Sequence, residues 1–201
     1  MNGLALLLLL GSVVFLLQSC SSTGALRTLY VPPNVKPDTV GPNYLHNVSQ
    51  VKYWDRISPA NRATNFAWWD SSGTVREMAD YYNKVIVISF FGTWSPPSDN
   101  QLLFLDSIYT QDTNAFVIAV AMREGVRGGK AVQKLDSFAR ARNIPYEVLV
   151  GSPDFGFTYG GIDVVPTTFV IDQEHRITAT FEGFVTEDKL RAAITKAEAS
   201  N

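Results

Sequence analysis

The sequence has 201 residues, of which 46% are hydrophobic and 18% charged, with a formal net charge of -2. That length suits one domain with a sizeable core plus a leader, and the near-neutral balance offers no electrostatic basis for tracking nucleic acid. The chain contains one cysteine, Cys20, which excludes an internal disulfide, a cysteine-only zinc site and any Cys-x-x-Cys pair.

From Leu4 to Leu17 the chain is an uncharged apolar run, and it ends in Leu17-Gln18-Ser19-Cys20. Crossing a bilayer takes about 20 apolar residues, so the run is too short to span but has the length of a signal-peptide core. The tetrad resembles the lipobox of bacterial lipoproteins. That resemblance implies that residues 1–19 are a signal peptide and that Cys20 becomes the lipidated first residue of a protein in the bacterial cell envelope. Met1-Asn2-Gly3 departs from such leaders in lacking Lys or Arg. Acyl chains contribute about 0.8 kcal/mol per buried CH₂, so several of them would anchor the protein durably to a membrane. Ser21 resembles the residue that sends Gram-negative lipoproteins to the outer membrane, facing the periplasm. Residues 20–44 hold four prolines, Pro32, Pro33, Pro37 and Pro42, and no helical or strand period. They read as a tether reaching roughly 25 Å, with the folded domain occupying 45–201.

Strand composition then marks Val85 to Phe91, Phe116 to Met122, Tyr146 to Val150, Thr167 to Ile171 and Ile177 to Phe181. Between them, Ala131, Leu135, Phe138, Ala139 and Arg142 repeat at helical spacing, as do Leu190, Ala193, Ile194 and Ala197 near the end. Thr186 is the predicted N-cap of the last helix, with Glu187 and Asp188 in its first turn. The first two core strands are continuously apolar, which predicts an α/β domain with a central mixed β-sheet flanked by helices on both faces. Gly128-Gly129-Lys130 lacks the remaining residues of a phosphate loop and reads as a lead-in to the helix near Ala131. Trp54, Trp68, Trp69, Tyr81 and Tyr82 read as core and rim packing.

The segment Val87-Ile88-Ser89-Phe90-Phe91-Gly92-Thr93-Trp94-Ser95-Pro96-Pro97-Ser98 resembles the active-site stretch of the TlpA/ResA-like (redoxin) membrane-anchored thiol:disulfide oxidoreductases of the thioredoxin superfamily. In that family a strand and an aromatic pair lead into Gly/Ala-Thr-Trp and then Cys-Pro-Pro-Cys. The resemblance extends upstream through Ala63-Thr64-Asn65-Phe66 and Asp70 to Val75. Downstream it runs through Phe138 to Pro145, Tyr159-Gly160-Gly161-Ile162 and Val164-Val165-Pro166-Thr167-Thr168-Phe169, and in all covers about residues 60 to 198. It implies a thioredoxin-like fold with Pro166 as the cis-proline.

Ser95 and Ser98 stand where the family has its two cysteines, and Ser89 where thioredoxins often bury an acid. Disulfide exchange needs a thiolate at a helix N-terminus and a second thiol to resolve the mixed disulfide. Serine does not ionise at physiological pH, so no catalytic residue is expected at these three positions. Ser95 is the predicted N-cap of the following helix, with Pro96 at its first position. Serine hydrolysis would require a base. The two histidines, His46 in the segment before the domain and His175 in a turn after Ile171-Asp172, read as surface residues, His175 at positive φ; neither a metal nor a cofactor is expected.

The resemblance further implies a groove rimmed by Trp94, Ser95, Pro96, Val165 and Pro166, where an extended peptide pairs with the backbone before the proline. The leading expectation is a redox-inactive binding or scaffold module that docks an envelope protein or extended peptide. A second is an oxidoreductase or antioxidant protein by similarity that relies on a partner's cysteines, and a third is a purely structural envelope lipoprotein.

Overall fold

The computed structural model describes residues 29–30, 44–55 and 61–200. The predicted signal peptide, Cys20 and most of the tether lie outside the described residues. Within the tether, however, Leu29–Tyr30 forms a strand, β1, so that stretch is not irregular throughout. It pairs antiparallel with β4 (Tyr53–Asp55), which continues through β5 (Phe66–Trp69) to β6 (Val75–Glu77), giving a four-stranded sheet in the order β1-β4-β5-β6.

The larger sheet is built around β7 (Val85–Phe91), whose residues are all buried. The other strands are β2 (Tyr44–Leu45), β3 (Val48–Gln50), β8 (Ala115–Ala121), β9 (Glu147–Val150), β10 (Thr167–Ile171) and β11 (Ile177–Glu182). Among the described residues its order is β11-β10-β7-β8-β9-β3-β2, with β7, β8, β9 and β3 parallel and the outer strands antiparallel. The sheet is therefore mixed.

Helices α1 (Pro96–Gln111) and α2 (Gly128–Ala141) make successive crossovers in one direction along the sheet. Crossovers of a single hand put both helices on the same face. There Leu102, Leu105 and Ile108 of α1, Val132 and Leu135 of α2, and Leu190 and Ile194 of α4 (Glu187–Glu198) share one aliphatic core with Val85, Val87 and Val117. The opposite face carries the short helix α3 (Pro153–Phe157), the 3-10 turn Met78–Tyr81 and the small sheet. Its core is aromatic: Phe155 packs against Trp54, Phe66, Phe90 and Tyr159 at ring distances between 5.0 and 5.9 Å. Helices thus lie on both faces but unequally, because a second sheet fills most of the space on one of them.

The two histidines differ. His46 is exposed as expected and lies inside the 45–201 domain, where it turns β2 into β3 at φ 50 and sets Nδ1 2.8 Å from Asp136 of α2. His175 does adopt φ 63 in the β10–β11 turn, yet it is buried, because Ala63 donates to its carbonyl and the 61–63 segment covers it while Tyr82 meets its ring edge-on. Gly128 and Gly129, expected to lead into a helix, are its first residues.

Candidate functional site

The connection from β7 to α1 lies at the sheet end where β8 and β9 also finish and where β10 begins. Trp94 folds its indole back over Gly92 so closely that a Cβ there would stand 2.6 Å from Trp94 Cε2. Only glycine fits beneath the ring. Trp94 Nε1 donates to the Met122 carbonyl at 3.3 Å, while 53% of the residue stays exposed.

Ser95 occupies the N-cap position of α1, followed by Pro96 and Pro97, but its side chain makes no capping bond. The expected cap is absent for a local reason. A capping oxygen takes the N–H of the second or third helical residue; Pro97 has none, and the Ser98 N–H goes to the Ser95 backbone carbonyl at 2.9 Å. The Ser95 hydroxyl instead faces the Val165 carbonyl at 3.4 Å, at the long end of the hydrogen-bond range. Ser98 is fully buried, and its Oγ accepts the Gly92 N–H at 3.3 Å. Ser89, also fully buried, shares a 2.9 Å hydrogen bond with Thr168, its register partner across β7 and β10.

Facing Ser95, the Val165–Pro166 peptide bond is cis. The loop around it is tied by the Thr167 hydroxyl, which donates to the Val164 carbonyl at 2.7 Å, and by the Gly183 N–H, which donates to the Pro166 carbonyl at 2.7 Å. The structure therefore brings together all the predicted rim residues, Trp94, Ser95, Pro96, Val165 and Pro166. Around them, at the same end of the sheet, stand further exposed apolar side chains that sequence reasoning did not single out: Val126, Phe157, Val164 and Phe184.

Sequence reasoning also missed the polar support behind this rim. Glu124, three residues past β8, buries its carboxylate, which accepts from the Thr93 N–H at 2.9 Å, the Thr93 hydroxyl at 2.5 Å and Lys134 Nζ at 2.7 Å. Its neighbour Arg123 reaches the other way and donates from Nη2 to the Ile162 carbonyl at 2.9 Å. From sequence, Glu124 is assigned no role. Its position just beyond the carboxyl end of a parallel strand, where open α/β sheets place their ligands, was the signal that could have flagged it.

Chemically, the tip of α1 presents hydroxyls that are already engaged, and neither histidine is there to act as a base. His175 is in the turn at the other end of the sheet and His46 is at its β2 edge. Among the described residues no group of three His, Cys, Asp or Glu is placed to hold a metal ion.

Residues 59–180 match the AhpC/TSA family over more than half of the chain. The chain belongs to the AhpC/TSA family. Its relatives include the thiol-disulfide oxidoreductase ResA of Geobacillus thermodenitrificans, 21% identical over 137 residues, which are 67% of this chain and 75% of that protein. ResA of Bacillus subtilis is 24% identical over 136 residues, 68% of this chain and 74% of that one. Among solved structures, a thiol:disulfide interchange protein of the thioredoxin family from Chlorobium tepidum superposes with a TM-score of 0.60 at 19% identity, covering 71% of this chain and 99% of its own. The pneumococcal exposed lipoprotein thioredoxin Etrx1 superposes with a TM-score of 0.56 at 20% identity, covering 66% of this chain and 98% of its own. This AhpC/TSA member thus has a thioredoxin-like fold, and its homologues are thiol-disulfide oxidoreductases.

Proposed function

We propose that this AhpC/TSA member is a docking module of the bacterial envelope with no dithiol chemistry of its own, which binds an extended peptide segment of an envelope protein across the groove between Trp94 and Val165. The observation that carries this reading is the absence of any cysteine after Cys20. Oxygen does not replace sulfur in thiol-disulfide exchange; Ser89 and Ser98 are buried in hydrogen bonds, and Ser95 has a long contact with the Val165 carbonyl. The surrounding surface still suits an extended chain. Trp94 and Val164 are exposed and apolar on opposite walls, and the backbone of Val165 borders the gap between them.

Lipidation of Cys20 would hold the module at a membrane. The resemblance of Leu17-Gln18-Ser19-Cys20 to a lipobox supports this, as does the existence of an exposed lipoprotein among the structural relatives. Ser21 favours the outer membrane in a Gram-negative host. Changing Cys20→Ser should release the protein from the membrane fraction, and unchanged fractionation would overturn the anchor.

The test of function uses the full-length protein in detergent. It should show no reduction of insulin disulfides above background, whereas the Ser95→Cys/Ser98→Cys variant should gain turnover. It should also bind reduced, carboxymethylated α-lactalbumin, an extended chain without free thiols, and lose that binding in Val165→Asp. Unaided turnover by the native protein would overturn the reading. Absence of binding in the native protein would leave the purely structural lipoprotein. The relatives' activity favours one alternative, exchange in which a partner supplies both cysteines; reductase activity that appears only with such a partner would select it.

A further inference from the structure

The two walls of the groove spring from paired strands, with Phe90 of β7 opposite Thr167 of β10, and beyond that pairing they meet through a long contact, Ser95 Oγ to the Val165 carbonyl at 3.4 Å. Such a contact is too weak to set a spacing. Both walls are also tied to the stretch Met122-Arg123-Glu124 that leaves the end of β8, the Trp94 wall through its first and last residues and the Val165 wall through the middle one. The Glu124 carboxylate holds both the N–H and the hydroxyl of Thr93, to which the Trp94 indole adds a long contact with the Met122 carbonyl at 3.3 Å. Between these two, Arg123 holds the opposite wall through the Ile162 carbonyl at 2.9 Å, three residues before Val165.

The divergence has a local cause. Arg123 adopts φ 58, a left-handed conformation unusual for a residue with a side chain, so the chain turns sharply and the side chains of Arg123 and Glu124 leave in opposite directions. Lys134, in the second turn of α2, then pins Glu124 by its side chain at 2.7 Å and by its carbonyl at 2.9 Å. A charged carboxylate with three donors is a strong anchor, since hydrogen bonds to ionised groups are roughly twice as strong as neutral ones.

We propose that Arg123 and Glu124 are the positioning residues of the groove: one bracket, fixed to α2 through Lys134, that holds the Trp94 wall with one side chain and the Val165 wall with the other. This inference rests on the reading of the groove as a docking surface. It adds that, beyond the β7–β10 pairing, the lips of the groove are held from behind, by residues that touch no ligand.

Backbone and indole amide exchange, followed by NMR in the full-length protein, tests the bracket without any ligand. In Glu124→Ala the Thr93 amide should exchange roughly tenfold faster or more, on the scale of a lost charge-assisted hydrogen bond, with Asp163 and Val164 unchanged. Glu124→Gln, which keeps one acceptor, should fall in between. Arg123→Gly keeps the left-handed turn without strain and removes the side chain that holds the Ile162 carbonyl, so it should shift the Asp163 and Val164 amide resonances and leave Thr93 exchange alone. Affinity for carboxymethylated α-lactalbumin should fall roughly tenfold in Glu124→Ala and in Arg123→Gly. The double variant should lose less than the product of the two, because either loss already frees the spacing. Urea midpoints identify any variant that simply unfolds, and the Gln and Gly substitutions stand in for it. Unchanged Thr93 exchange in Glu124→Ala, together with unmoved Asp163 and Val164 resonances in Arg123→Gly, would overturn the bracket even if the native protein binds the probe. Failure of the native protein to bind would sink the docking reading, while the NMR data would still decide the bracket.

Discussion

Two carboxyl groups withdrawn from water, Glu124 and Glu147, live under opposite rules. Glu124 follows a strand and meets loop and helix donors: a backbone N–H, a hydroxyl and an ammonium. Glu147 opens β9 on the aromatic face, where its neighbours are strands and rings, and its Oε2 is shut off from solvent with no hydrogen-bond donor among the described residues. Burial pushes its pKa up to about 7; the Asp70 carboxylate adds to the rise, while the Trp68 indole N–H, short of a well-formed hydrogen bond, and Arg76 offset part of it. Strands spend their N–H groups on each other, so a carboxyl between two sheets finds few donors. A carboxyl at a strand end can be given as many as the loops supply. A charge that is to hold a binding loop in place belongs at the strand end.

The difference can be broken most forcefully at Trp68. This fully buried ring stacks on Tyr81 and Phe116 and turns its indole N–H toward Glu147, so its loss would open the aromatic layer beside the carboxyl to water. Trp68→Ala should cost about 3–5 kcal/mol of stability. It should also flatten the dependence of stability on pH, because water reaching Glu147 removes the desolvation that dominates its shift. Urea midpoints between pH 4 and pH 8 measure both, and an undiminished slope would show that the aromatic cover is not the cause.

Glu147→Gln sharpens the same point with a smaller effect. A carboxyl with a folded pKa raised from 4.5 to about 7 holds its proton longer in the folded state than in the unfolded one. Its contribution is therefore complete below about pH 4.5, declines as the pH rises and is gone above about pH 7. Relative to the native protein, the Gln variant should gain about 2 kcal/mol between pH 4 and pH 8, after allowance for the partial exposure of the group. A constant difference across that range would remove Glu147 as the titrating residue.

Sequence pattern revealed these surroundings unevenly. β7 and β10 run over the predicted residues, and β8, β9 and β11 differ by a residue or so at their ends, because their runs of β-branched and aromatic residues carry no competing helical period. The strands from Tyr44 to Glu77 went unseen. Each is two to four residues long, too short to show alternation, and β3 joins the larger sheet by pairing with residues distant in the chain, Val48 with Val148. That omission is why the aromatic face was expected to be covered by helices and why Glu147 was not suspected. In the groove, Trp94, Ser95 and Val165 were legible because a contiguous motif carries them. Glu124 and Arg123 were not, since their partners Thr93, Lys134 and Ile162 lie up to 39 positions away.

The gentlest test of the contrast is Thr93→Val, which keeps the branched shape and the backbone N–H but removes the hydroxyl that donates to Glu124 Oε2. Bonds to charged groups are worth about 1.5–3 kcal/mol when lost outright. Here Lys134 still satisfies the same oxygen at 2.7 Å, so the expected cost is about 1 kcal/mol, read as a shift in urea midpoint with unchanged slope. Adding Lys134→Met should make the loss larger than the sum of the two single changes, because the carboxylate would then keep only the Thr93 N–H. If the double change is merely additive, the donors around Glu124 act independently and its kinship with Glu147, as one more poorly compensated buried acid, would be closer than the geometry indicates.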